Sequence, residues 1–284
     1  MPFGWTINPF RGCEFGCRYC YARPTHEYLG HADPDEFEER IYVKRADCDG
    51  LLAGLKRARA SGQEIAIGAA TDPYQPAETR FEITRGVLEA IARVPGLRVG
   101  VTTKATAITR DVELLRRIAQ GSDLWVNFSV ISLDADLLRL IEPLAPRPDL
   151  RLHALQLLSQ AGIRTRVFVM PVLPLLTDGA AGLRALLEAA RAAGAEEAIC
   201  QPLFLRTETT RRFFLEFVGR EFPWALGRYR EMYPEPGNAP RAYRLAVVRR
   251  VERLAREAGF KARSREERMR DEAPARSRQL SLVW

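Results

Sequence analysis

The amino-acid sequence predicts an α/β fold: a partial (βα)6 TIM-like barrel of parallel strands, followed by a basic, mainly helical C-terminal extension. Three observations carry this. Short apolar runs alternate with amphipathic stretches through the middle of the chain. The runs number about six, too few to close an eight-stranded barrel. The character of the chain changes after about Gly219, setting a core at residues 1–219 apart from an extension at 220–284.

The first strand is expected near Trp5–Asn8, and the next five over Glu64–Thr71, Arg98–Lys104, Asp123–Ser132, Arg164–Val172 and Glu197–Leu205. Helices are expected between them over Thr79–Arg93, Arg110–Gln120, Asp149–Ala161 and Gly179–Ala193. In the first of these, Ile83, Val87, Leu88 and Ile91 fall at i, i+4, i+5 and i+8, on one face of a helix. The helix at Asp149 begins behind a Pro-rich loop with an acidic residue in its first turn. Folds of this order bind ligands at the carboxyl ends of their strands. Polar residues gather there: Thr71 and Asp72, Thr102 to Lys104, Ser129 and Ser132. Past Gly219 come Phe222-Pro223-Trp224, a turn-rich stretch Tyr233–Pro240 and a helix over Arg241–Ala258. A charged segment, Arg263–Arg278, is expected to be flexible, and the chain closes on the apolar tail Gln279–Trp284.

Composition narrows the function classes. With 46% hydrophobic and 28% charged residues the chain reads as globular. It lacks an apolar run long enough to span a bilayer, and Met1–Asn8 lacks the layout of a secretory signal, so a cytoplasmic protein without membrane contact is expected. The net charge of +7 is unevenly placed. Residues 206–284 hold 19 Lys/Arg against 11 Asp/Glu, a balance of +8, and the first 205 hold 24 against 25, a balance of −1. A basic last quarter suits contact with nucleic acid; a solvated basic face is the plainer alternative.

Five cysteines are too few and too uneven for a disulfide scaffold. Cys48 and Cys200 read as a surface thiol and a small apolar strand residue. Cys13, Cys17 and Cys20 fall within eight residues, and three thiolates on one short loop can ligate three corners of a cubane Fe–S cluster. The fourth iron is then open to an exogenous ligand, which suits catalysis. A Cys3His zinc site completed by His26 is the competing reading.

The Cys13-x3-Cys17-x2-Cys20 motif, with Tyr19 before its last cysteine, resembles the signature of the radical S-adenosylmethionine (SAM) superfamily. The wider string NPFRGCEFGCRYCYAR (Asn8–Arg23) is similar to the spore photoproduct lyase-like branch. So, in the same order, are TDPYQPAE (Thr71–Glu78), VTTK (Val101–Lys104), NFSVISLD (Asn127–Asp134), IEPLAPRPDLRL (Ile141–Leu152) and AGIRTRVFVMPVLP (Ala161–Pro174). The resemblance covers most of Trp5 to Leu205. It implies a [4Fe–4S] cluster on Cys13, Cys17 and Cys20, with SAM chelated to the open iron. It also implies reductive cleavage of SAM to a 5′-deoxyadenosyl radical that abstracts a substrate hydrogen, and an electron donor such as a reductase or flavodoxin.

By the same resemblance Tyr19 lies against the adenine, and Thr71 and Asp72 lie where the methionine amino group is contacted. Lys104, one of four lysines, suits the SAM carboxylate. Ser129 falls where ribose hydroxyls are read, with Asn127 on the same strand face. Glu142 and Arg151 match branch positions and pair near the ribose or carboxylate. Structural alternatives stay open: Asp72 as a loop cap before Pro73, Lys104 as a solvated charge, Glu142–Arg151 as a helix-entry salt bridge. One departure matters. The lyase returns hydrogen from a cysteine on its second strand, and the neighbourhood here reads Gly68-Ala69-Ala70-Thr71, without a thiol. The two remaining cysteines are also too few for a second cluster, which argues against methylthiolation.

The tail, Gln279-Leu280-Ser281-Leu282-Val283-Trp284, resembles the short peptides that dock bacterial DNA proteins onto the sliding clamp. The alternative is a tail packed back on the enzyme. Three functions follow from these readings: radical chemistry on nucleic acid in repair or modification, radical chemistry on a small metabolite or peptide, or a non-catalytic Fe–S protein that binds nucleic acid.

Overall fold

The computed structural model describes residues 3–31, 33–45, 47–261 and the two-residue strand Arg278–Gln279. Six parallel strands pair in chain order: β1 (Trp5–Ile7), β2 (Ile65–Ile67), β3 (Arg98–Thr103), β4 (Asp123–Ser129), β5 (Arg164–Val172) and β6 (Glu197–Pro202). This is the expected partial barrel. A seventh strand, β7 (Arg278–Gln279), runs parallel to β1 on its outer edge, pairing Trp5 with Arg278 and Thr6 with Gln279.

The strands alternate between two environments, as a period of two requires. Ile65, Val99 and Leu124 stand in register, as do Ile67, Val101 and Val126; all are buried toward the helices. The opposite face carries Thr6, Ala66, Gly100 and Trp125 in one row and Thr102, Asn127, Arg166 and Glu197 in the next. The barrel interior is therefore polar toward the carboxyl ends of its strands. Both Arg164 and Arg166 lie over the Trp125 ring, at 3.7 and 3.5 Å from its centroid, and Arg166 pairs with Glu197 at 2.8 Å.

The covering helices are α1 (Cys48–Ser61), α2 (Pro76–Phe81), α3 (Ile83–Ala92), α4 (Val112–Gly121), α5 (Ala135–Ile141), α6 (Pro148–Gln160) and α7 (Ala180–Ala192). The single helix expected over Thr79–Arg93 is two, broken at Glu82, whose φ is +50°. Glu78 explains the break. Its buried carboxylate accepts the Thr84 N–H at 2.8 Å and the Arg85 N–H at 3.1 Å, so the first turn of α3 is capped from the preceding helix. The strand expected to reach Leu205 stops at Pro202, and Phe204–Leu205 pairs antiparallel with Gly237–Asn238. Cys48 lies at the exposed start of α1, and Cys200 is a half-buried residue of β6.

The chain continues with α8 (Glu208–Glu221), α9 (Pro223–Met232) and α10 (Arg241–Glu257). Phe214 meets Tyr229 edge-on at 5.4 Å and Phe217 meets Phe222 at 5.8 Å, which locks α8 against α9. The Tyr229 hydroxyl donates to the Pro174 carbonyl at 2.7 Å and that of Tyr233 to Leu203 at 3.0 Å. Helix α10 packs on α7 and β6, so these helices share the core of the barrel. The charged segment Arg263–Arg278 and the tail Gln279–Trp284 lie outside the described residues, apart from the strand positions of Arg278 and Gln279. Among the described residues no helix is long and apolar enough to cross a membrane.

Candidate active site

The three clustered cysteines occupy the long connection between β1 and α1. Gly12 turns the chain into this loop at φ +89°, where a Cβ would come 2.8 Å from the carbonyl oxygens of both Phe37 and Arg40, so only glycine fits. The Cys13 N–H donates to the Phe37 carbonyl at 2.9 Å, and the Cys20 N–H to the Cys17 carbonyl at 3.2 Å. Arg23, almost wholly buried, holds the Cys17 carbonyl through Nε at 3.3 Å and Nη2 at 3.1 Å, pairs with Glu38, and stacks on Phe213 at 4.2 Å. Burial pushes the Cys13 thiol well up, and Asp72 and Cys17 add to it; burial pushes Cys17 up to about 12, against the pull of Lys104.

Beside this loop lies the segment after β2. The Thr71 hydroxyl donates to the Gly12 carbonyl at 2.6 Å. Asp72 accepts three bonds: at Oδ1 from the Tyr74 N–H at 2.9 Å and the Thr103 hydroxyl at 2.6 Å, at Oδ2 from the Lys104 N–H at 2.8 Å. Its carboxylate thus joins the ends of β2 and β3. Burial lifts its pKa, and these three bonds oppose the lift.

Lys104 points into a buried charge cluster. Its Nζ lies 5.7 Å from the centre of the Tyr19 ring, with the Cys17 thiol, Glu142 and Asp72 around it. Burial works against the ammonium, but Cys17 and Glu142 outweigh it and hold the pKa above the ordinary lysine range. Glu142 accepts the Tyr19 hydroxyl at Oε1 and faces Arg151 Nη2 at 2.5 Å through Oε2. Arg151, with no exposed surface, also donates to the Pro146 carbonyl at 2.6 Å and the Ser129 carbonyl at 3.1 Å. Arg151 thus ties the end of α5, through Glu142, and the end of β4, through the Ser129 carbonyl, to the start of α6. The Ser129 hydroxyl donates to the Met170 carbonyl at 3.4 Å. Asn127 donates to the Thr102 hydroxyl at 3.2 Å, while its buried Oδ1 has no hydrogen-bond partner.

The fold thus gathers Cys13, Cys17, Tyr19, Cys20, Thr71, Asp72, Lys104, Glu142 and Arg151 at one end of the barrel, with Asn127 and Ser129 on β4 beneath. The sequence does not mark Gln75, which bonds the cysteine loop from more than sixty residues away, nor Arg23, which lies only six residues from Cys17 but whose bond is to a backbone carbonyl that no residue pattern signals. The residues fit a [4Fe–4S] cluster and SAM. A cubane takes one thiolate per iron, so its cysteines stand farther apart than the ligands of a single ion. The three thiols lie within electrostatic reach of one another. Among the described residues no three His, Cys, Asp or Glu side chains close on a single-ion site. His26, the candidate fourth zinc ligand, is turned into the core, with Nε2 2.8 Å from the Arg40 carbonyl and its ring edge against Phe37. The orphaned Asn127 Oδ1 is an acceptor for a ligand hydroxyl or amine, since a buried acceptor without a partner is costly.

Residues 7–184 match the family model described as the radical SAM superfamily. An uncharacterized protein of Mycobacterium tuberculosis is 37% identical over 251 residues, which span 88% of this chain and 73% of that protein. An uncharacterized protein of Methanocaldococcus jannaschii is 28% identical over 174 residues, 61% of this chain and 62% of that one. Among solved structures, a spore photoproduct lyase variant aligns with a TM-score of 0.70 and 16% identity over 90% of this chain and 74% of that chain. A second variant, solved with bound AdoMet and dinucleoside spore photoproduct, aligns with a TM-score of 0.66 and 15% identity, covering 90% and 76%. At such identity the likeness speaks for the fold alone. The family match takes in the three cysteines, the β2 and β3 ends and the Glu142–Arg151 pair, and this chain belongs to the radical SAM superfamily.

Proposed function

We propose that this radical SAM enzyme abstracts a hydrogen atom from a nucleic-acid substrate, in repair or modification. The observation that carries the substrate class is a groove between α8 and α9, lined by Arg211, Arg212 and Arg230 together with Glu208 and Glu216, which pair with Arg211 at 2.9 Å and Arg212 at 3.9 Å and leave the lining with a net positive charge of one. The helix that forms one wall of it also adjoins the cysteine loop, since Phe213, on another face of α8, packs against Arg18 and Arg23. The groove sits in the quarter of the chain that holds 19 Lys/Arg against 11 Asp/Glu. The shared fold with a lyase solved with a dinucleoside photoproduct supports the same class.

When bound, the reduced cluster and SAM supply the one-electron chemistry that takes a hydrogen atom from a substrate C–H bond. The chain supplies position and electrostatics. Cys13, Cys17 and Cys20 would hold three irons. Lys104 carries the positive charge a carboxylate of SAM needs, and Asn127 and Ser129 would read the ribose. Thr71 and Asp72 stand where the amino group is expected, and Tyr19 presents a ring for the adenine. Tyr19 also fixes Glu142 by its hydroxyl, and so aligns the buried pair beside the same space. Thiol-mediated hydrogen return forms no part of the proposal, because Gly68 to Thr71 carry no cysteine.

The test is anaerobic turnover on deuterated DNA and RNA, damaged and undamaged, following deuterium into 5′-deoxyadenosine. Transfer from nucleic acid is expected. SAM cleavage without transfer from any nucleic acid would point to a small metabolite or peptide; nucleic-acid binding without SAM cleavage, to a non-catalytic binding protein. A reductase or flavodoxin is the expected electron donor. The sliding clamp is a proposed partner through Gln279–Trp284, and deletion of those six residues is expected to abolish clamp binding in calorimetry.

A further inference from the structure

One side chain grips the cysteine loop on both sides of Cys13. Gln75 accepts the Glu14 N–H through Oε1 at 2.9 Å and donates through Nε2 to the Gly12 carbonyl at 3.2 Å. These are the two bonds that a residue of a neighbouring parallel strand would make to the peptides flanking its partner. A primary amide thus stands in for a strand that is not there. Its Nε2 also donates to the Thr71 hydroxyl at 3.0 Å, and that hydroxyl donates to the same Gly12 carbonyl at 2.6 Å. Gln75 has no exposed surface. The grip is returned, because Glu14 Oε2 accepts the Ala77 N–H at 2.6 Å at the start of α2.

The far side of Cys13 is fixed as well. Its own N–H is bound to Phe37, the Phe15 N–H reaches its thiol, and Gly12 is pressed against the carbonyls of Phe37 and Arg40. Among the described residues Cys17 has no such link to the β2 end, and the Cys20 corner is joined to it only through the neighbouring Tyr21, whose hydroxyl donates to the Ala69 carbonyl. The hydrogen bonds of the two cysteines themselves run to Arg23, to each other's turn and to the loop itself. Gln75 belongs to the segment that carries Thr71 and Asp72, so a shift of that segment is passed to Cys13 through the peptides on both its sides, and to the Cys20 corner through one side-chain hydroxyl.

We infer that Gln75 is a positioning residue for the cluster: it sets the direction of the Cys13 thiol and ties that corner to the strand end bearing Thr71 and Asp72. This rests on the reading of the three cysteines as cluster ligands. Hydrogen-bond partners that orient metal ligands typically change metal affinity by about 10–100-fold when removed.

The experiment compares anaerobically reconstituted wild-type protein with Gln75→Met, which keeps the length and loses every bond, and Gln75→Glu, which keeps the acceptor for the Glu14 N–H and loses the donors. The readouts are iron and sulfide per chain, the rate of iron loss to a chelator, the electron paramagnetic resonance of the reduced cluster with and without SAM, and thermal melting of the cluster-free protein. Iron loss about tenfold faster is expected for Gln75→Met, with an intermediate rate for Gln75→Glu. In both variants the spectral change on adding SAM shrinks, while the cluster-free proteins stay folded. If wild type itself assembles no cluster, the ligand reading falls and the inference with it. If wild type assembles one and both variants match it in iron loss and in the response to SAM, the inference alone is overturned. Unfolding of both cluster-free variants would overturn it too, since Gln75 would then be a folding residue.

Discussion

At the scale of single residues the site is governed by charges that have left water. Arg151 is fully buried and Glu142 nearly so, and each is tenable because the other is there. Glu142→Leu strands the guanidinium with only carbonyl partners, and a loss of about 3–5 kcal/mol is expected in chemical unfolding of the cluster-free protein. The double variant Glu142→Leu/Arg151→Met should recover much of that loss, because removing both charges also removes the burial cost. The pH dependence has a definite sign. Burial would raise the Glu142 pKa, but Arg151, then Lys104 and the Tyr19 hydroxyl, outweigh it and hold it below its ordinary 4.5. A carboxylate with a depressed folded pKa stabilises the fold above its unfolded value, and loses that contribution as pH falls through the folded one. Unfolding free energies measured from pH 7 downward should therefore fall in wild type below about pH 4.5, with a shallower fall in Glu142→Gln.

At the scale of elements, the turn after β2 decides where Thr71, Asp72 and Gln75 stand. Gly68 makes that turn at φ +85°, where a Cβ would come 2.6 Å from Pro73 Cδ and 2.7 Å from the Thr102 carbonyl oxygen. Gly162, between α6 and β5, has nearly the same φ, +80°, with nothing within 4 Å of its Cβ direction. Gly162→Ala should cost about 1–2 kcal/mol in urea unfolding, the left-handed conformation alone, and Gly68→Ala clearly more, the excess measuring the clash. The same glycine shows where sequence stopped being a guide. Glu64–Thr71 reads as one apolar strand, yet pairing ends at Ile67 because Gly68 turns the chain, a conformation that Gly-Ala-Ala does not advertise. The alternation of strands and helices was legible because each strand has one apolar face to cover, as Val99, Val101, Leu124 and Val126 show. Helix α1 went unread although Leu51, Leu55 and Ala58 carry its buried face, since charged residues and a glycine interrupt the pattern. The cysteines declared themselves by spacing, and Lys104 by rarity. Gln75 could not, because its bonds to Gly12 and Glu14 span more than sixty residues and glutamine has no fixed chemistry until its partners are placed.

At the scale of the whole molecule, charge and topology converge on one side of the cysteine loop. The first 205 residues are close to neutral, and the excess of positive charge lies in the chain that builds α8 to α10 and returns to the edge of β1 as β7. Helix α8 connects the two, with Phe213 against the arginines of the loop and Arg211 and Arg212 turned to the groove shared with α9. A polyanion laid in that groove would be held by the helix whose other face packs on the cysteine loop. Binding of this kind is driven by counterion release, with log K falling against log salt by about 0.9 per phosphate neutralised on duplex DNA. Arg212→Gln/Arg230→Gln should therefore weaken duplex binding at low salt and reduce the slope by about 1.8, whatever the sequence of the duplex. Arg116→Gln on α4, an exposed arginine outside the groove that is paired with Glu113 as Arg212 is with Glu216, should leave the slope unchanged. Fluorescence anisotropy across a salt series measures both. An unaltered slope in the double variant would mean that the groove does not carry nucleic acid and that the basic last quarter is solvated surface.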